Sequence, residues 1–68
     1  MLKPGKLYEI TQSINPKLCV GEILLLISVK DYVLDSKQVL ICKFMLGFKP
    51  VTQLFFTGTE NKYIKELL

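Results

Sequence analysis

The sequence predicts an all-β domain, an antiparallel barrel or sandwich, on three observations. Four segments of strand length are rich in aliphatic and β-branched residues: Lys6 to Thr11, Glu22 to Tyr32, Gln38 to Gly47 and Val51 to Thr57. Turn signals punctuate them at Pro4-Gly5, Gly21, Asp35-Ser36-Lys37 and Phe48-Lys49-Pro50. The chain has 68 residues, half of them hydrophobic, which gives a single domain, 1–68, near the lower size at which one core outweighs chain entropy.

The first segment alternates, with Leu7 and Glu9 on one side and Tyr8 and Ile10 on the other. Gln12 to Val20 contains Asn15-Pro16 and reads as a loop too long for a tight hairpin. The second segment, Gly21-Glu22-Ile23-Leu24-Leu25-Leu26-Ile27-Ser28-Val29, hardly alternates at all. Seven uncharged residues in a row, Ile23 to Val29, all apolar but Ser28, also suit a buried helix, but the flanking Gly21 and Asp35-Ser36-Lys37 favour a strand. Past the fourth segment, Thr57-Gly58-Thr59-Glu60 has capping-box spacing, and Tyr63, Ile64, Leu67 and Leu68 would share one helical face. One helical turn followed by a short closing strand is the preferred reading, because it completes a barrel.

Charge and composition narrow the function. Nine Lys against six acids give a net charge of +3, with no Arg and no His. Base-edge readout and bidentate phosphate clamps rely on the guanidinium, so sequence-specific DNA reading is disfavoured. Without His, two Cys far apart cannot complete a zinc site, and no metal or other cofactor is expected. Cys19 and Cys42 are expected as reduced core residues rather than a disulfide. The longest uncharged apolar run, Ile23 to Val29, is far below the roughly 20 residues of a membrane-spanning helix. The basic start Met1 to Lys6 has no apolar run behind it, so a signal peptide is not expected and the cytoplasm is the expected compartment.

No catalytic constellation emerges. Asp31 and Asp35 flank a hairpin turn, where Asp serves its own backbone, and Cys19 follows no base. There is no Gly-rich phosphate loop, and neither enzymatic activity nor a small-molecule substrate is expected.

The order of parts resembles the five-stranded SH3-like small barrels of the KOW or Tudor type, including short stand-alone proteins encoded by tailed phages. "LKPGKLYEI" (2–10) is similar to their opening strand and "GEILLLISV" (21–29) to their Gly-led second strand. "PVTQLFFTG" (50–58) is similar to the strand ending in an aromatic pair and a turn, and "NKYIKELL" (61–68) to the closing segment. The resemblance implies a five-stranded antiparallel SH3-like barrel and a phage or other viral accessory protein, in the host cytoplasm if viral. The chain departs from the ligand-binding branches of those folds: it has no Trp for an aromatic cage, and its Gln12 to Val20 loop carries no acid.

Two partner classes follow. On the second strand, Leu24 and Leu26 are assigned to the face opposite Ile23, Leu25, Ile27 and Val29; on the third, Val39, Ile41 and Met45 oppose Leu40, Cys42, Phe44 and Leu46. One interior cannot take both faces, which leaves about four to six aliphatic side chains, each worth about 1.5 to 3 kcal/mol when buried. Leu24, Leu26, Val39, Ile41 and Met45, with Phe48 at the rim, are therefore the candidate surface for a protein partner or self-association. The alternative is a nucleic-acid-binding regulator of transcription or translation, using Lys43, Lys49 and Lys62 for phosphates and Tyr63, with Tyr8, Tyr32 or Phe48, for stacking.

Overall fold

A computed structural model describes residues 2–67. It is all-β: β1 (Leu7–Ile10), β2 (Ile23–Leu34), β3 (Lys37–Leu46), β4 (Lys49–Phe56) and β5 (Ile64–Leu67), with a single 3-10 turn, Glu60–Lys62, before β5. All pairings are antiparallel in one five-stranded sheet of order β4-β3-β2-β1-β5. The sheet is not closed: β4 and β5 are its two edges.

Two tight turns build the central meander. Asp35 and Ser36 both hold positive φ, 51° and 65°, between the paired Leu34 and Lys37. That is the backbone of a type I′ hairpin, whose twist matches that of the strands it joins. At the second turn Gly47 holds φ 63° between the paired Leu46 and Lys49, the position where a type II′ hairpin takes Gly. β4 therefore begins at Lys49, ahead of the expected Val51, and Pro50 sits inside it. A proline is tolerated there because β4 is an edge strand.

At about 3.3 Å per residue, β2 drawn straight would span about 36 Å, more than the 33 Å long axis of the molecule. It has to bend. The register shifts between Leu26, opposite Phe44, and Ser28, opposite Lys43, so Ile27 is the extra residue of a β-bulge. Before the bulge even-numbered residues face inward; after it Val29, opposite Cys42, and Asp31, opposite Leu40, take the inner side.

The core collects Tyr8 and Ile10 from β1, Leu24 and Leu26 from β2, Cys42 and Phe44 from β3, Phe55 from β4 and Ile64 from β5. Leu2 and the loop residue Leu18 close it. The Gln12 to Val20 loop is anchored rather than free. Asn15 Oδ1 accepts from the Lys17 amide at 2.8 Å, Glu22 Oε1 accepts from the Cys19 amide at 2.8 Å, and Leu18 pairs with Asn15 in an isolated bridge. This geometry sends Leu18 inward and leaves Cys19 exposed, which corrects the expectation of two core cysteines; both are free thiols.

The closing segment takes the turn-plus-strand form, with Leu68 outside the described residues. The capping box does not form on Thr57. The cap is Thr59, which makes no side-chain capping bond and donates its hydroxyl to the Phe56 carbonyl at 2.7 Å. Glu60 is buried and reaches back to accept from the Gly58 amide at 2.8 Å.

Candidate functional site

Cross-strand partners share a face, so the register of the meander fixes which side chains point away from the core. On β3 these are Lys37, Val39, Ile41, Lys43 and Met45. Opposite them on β2 stand Leu34, Tyr32, Lys30, Ser28 and Leu25, and on β4 Phe56, Leu54, Thr52 and Pro50. Around Ile41 this outer face is strongly apolar: Tyr32 is 54%, Leu34 46%, Leu54 47% and Phe56 56% exposed. With roughly 200 Å² for each such residue, the four expose on the order of 400 Å², the size at which a patch on a monomer is commonly functional. The molecule as a whole exposes 4871 Å², about a tenth above the ~4400 Å² usual for a monomer of its mass.

Val39 shows how the face is packed. It lies on the outer side between Tyr32 and Phe56, yet it is only 3% exposed. Side chains around it must lie across the sheet rather than stand away from it. Lys37 does this visibly, its Nζ 5.6 Å from the centroid of the Phe56 ring, a cation–π contact.

The β4 edge beside this patch is partly protected. A two-residue hairpin makes Leu46 and Lys49 a doubly hydrogen-bonded pair, and the alternation of an antiparallel ladder then turns the main-chain groups of residues 50, 52, 54 and 56 outward. Pro50 has no N–H to leave bare. The outward carbonyl of Leu54 accepts from Gln53 Nε2 at 2.8 Å, and that of Phe56 accepts from Thr59. Unwanted strand addition at this edge is blunted while its side chains stay open.

The expected interface residues divide. Leu24 and Leu26 are fully buried core residues and cannot meet a partner; Leu25, opposite Met45 ahead of the bulge, and Ile27, the bulged residue, are exposed in their stead, 38% and 42%. Val39, Ile41 and Met45 lie on the outer face as assigned, Val39 shielded by its neighbours and the other two half-buried. Phe48, at the tip of the β3–β4 turn, is wholly exposed. Leu34, Leu54 and Phe56 were not singled out by the sequence, and Tyr32 was singled out only as a stacking residue for nucleic acid.

The expected nucleic-acid residues fall on different faces. Lys43 is on the outer face of β3, Lys49 shares the inner register with Leu46, and Lys62 is in the 3-10 turn. Tyr63 is half-buried, its ring 5.9 Å from that of Phe55, and Tyr8 is a core residue whose hydroxyl accepts from the Lys3 amide at 2.8 Å. Of the three tyrosines only Tyr32 is exposed.

Two cavities lie elsewhere. One, of about 300 Å³, is lined by Leu2, Val29, Asp31, Leu40, Thr57 and Glu60. Beside it the Cys42 thiol is pushed up from 9.0 to about 11, by burial first and by the Glu60 carboxylate second. The other, of about 610 Å³, lies between the Gln12 to Val20 loop and the β3–β4 hairpin, with Lys17, Lys49, Asn15 and Thr52 on its walls. Among the described residues no group of three His, Cys, Asp or Glu is placed to hold a metal ion, and no helix is long and apolar enough to cross a membrane. Comparison with protein-family models, with curated proteins and with solved structures finds no match for this chain.

Proposed function

We propose that this chain is a small non-enzymatic binding module that works by protein contact on the outer face of β2, β3 and β4. One observation carries the reading: Tyr32, Leu34, Leu54 and Phe56 stay about half exposed around Ile41, although the core beneath is complete without them. Four large apolar side chains held in water on a rigid sheet are a standing cost unless a partner covers them. The five antiparallel strands and the single 3-10 turn support the resemblance to SH3-like barrels, which suits a binding module; the fold alone assigns no function.

The test is a double substitution, Leu54→Ser with Phe56→Ser, which strips the patch without touching an inward residue. Solution mass across a concentration series and affinity capture from the source cells are compared between the two proteins. The wild type should self-associate or retain a protein that the folded variant does not. Equal mass and equal capture, or a wild type that is monomeric and retains nothing, would refute the reading.

A further inference from the structure

Resting on that reading, we infer that the outer face is built for an acidic protein segment, apolar in the middle and carboxylate-bearing at its ends, rather than for a second copy of this chain. Every charged side chain on the outer face of β2, β3 and β4 is a lysine. Lys30 lies beside Ile41, Lys37 precedes Val39 and Lys43 follows Ile41, while no outward position of the three strands holds an Asp or Glu. The nearest acid in the register, Asp31, opposes Leu40 and belongs to the inner side.

Spacing turns this composition into a recognition pattern. Lys37 and Lys43 are six residues apart on one strand, about 20 Å, with Val39 and Ile41 between them. Tyr32, Leu54 and Phe56 widen that apolar interval across the neighbouring strands. A complementary segment therefore places apolar residues over Ile41 and carboxylates roughly 20 Å apart, a span of about six extended residues.

Two alternatives fit less well. Face-to-face pairing of two copies would bring lysines against lysines, and the ~400 Å² patch is about half of the ~800 Å² that each side of a stable dimer usually contributes. Single-stranded nucleic acid would match the charge, but it needs free aromatic faces. Here Lys37 sits on Phe56, which leaves Tyr32 as the one ring of the patch without a cation over it, beside the aliphatic Leu34 and Leu54, too little for successive bases to stack on.

The experiment uses fluorescence anisotropy with four labelled probes: a peptide with two aspartates at each end of four apolar residues, the same peptide with asparagines, the same with lysines, and an oligothymidylate of twelve nucleotides. The aspartate peptide should bind at least tenfold more tightly than the asparagine one, and the lysine peptide should not bind. Raising salt from 50 to 500 mM, or the pair Lys37→Glu and Lys43→Glu in protein that stays folded by circular dichroism, should weaken the aspartate complex at least tenfold. Leu54→Ser with Phe56→Ser should do the same. Equal binding of the aspartate and asparagine peptides, or binding of none, overturns the acidic-segment inference; if the double serine variant still loses a protein contact in the capture experiment, the binding-module reading survives without it. Self-association through this face overturns the inference in the same way. Binding of the oligothymidylate in preference to every peptide overturns both.

Discussion

Leu25 and Leu26 are neighbours in sequence with opposite fates, and a pair of alanine substitutions measures the difference. Leu26 is fully buried beside Phe44, whereas Leu25 is 38% exposed on the outer face opposite Met45. Leu26→Ala removes three carbons from the core, about 2.4 kcal/mol of transfer free energy at ~0.8 kcal/mol each. The cavity it leaves brings the loss to about 3 to 4 kcal/mol, within the range of buried Leu→Ala changes. Leu25→Ala opens no enclosed cavity and should cost about 1 kcal/mol. A domain of this length has about 3 to 10 kcal/mol in all, and each kcal/mol moves the midpoint by roughly 4 to 8 °C. Thermal melts followed by far-ultraviolet circular dichroism should thus put Leu26→Ala at least 12 °C below the wild type, and Leu25→Ala within about 8 °C. Urea melts supply the same comparison at constant temperature. Equal losses, or a larger loss at Leu25, would sink the assignment of faces and with it the outer patch.

Two further outcomes are expected. Ser36 at φ 65° carries a left-handed cost of about 1 to 2 kcal/mol, which Gly avoids while giving up about 0.5 to 1 kcal/mol of chain entropy, so Ser36→Gly should raise the melting midpoint by a few degrees; a lowered midpoint would contradict the type I′ turn. Cys42 should resist a thiol-reactive probe in the folded protein while the exposed Cys19 reacts, and comparable rates would show that the core admits the reagent. Its raised pKa also fixes a sign. The unfolded chain gives up this proton first as pH climbs, so stability is whole below about pH 9 and falls toward about pH 11, and the Cys42→Ala variant should show a shallower decline over that window.

The strand content was legible because it rests on local chemistry: β-branched and aliphatic runs between turn residues. Tyr8 and Ile10 alternate cleanly with Leu7 and Glu9, and their faces came out as read. β2 was different. Constant alternation from Ile23 to Val29 put Leu24 and Leu26 on the side of the polar Ser28, outside, and from Ile23 to Ile27, where every residue is apolar, no polar residue marks which side is which. The bulge at Ile27 then changes parity partway along, a tertiary event set by the bend, with no signature in the residue types. At the loop, Leu18 and Cys19 are both apolar candidates, and the Asn15 turn decides between them. The outer patch escaped reading for a related reason: Leu54 and Phe56 became surface residues only when their register to Ile41 and Val39 was known.

The pairing of Leu7 with Leu67 has a consequence for how the domain can be mounted. The first and last strands are neighbours at the edge of the sheet farthest in order from β4, so polypeptide entering β1 and polypeptide leaving β5 pass the same end of that strand pair. A tether that continues β5 holds the domain by that seam, and one ahead of Leu2 holds it from the inner side, where Leu2 packs near Val29 and Leu40. The Tyr32, Leu54 and Phe56 side chains belong to the other half of the sheet, so immobilisation through the termini leaves them facing solvent.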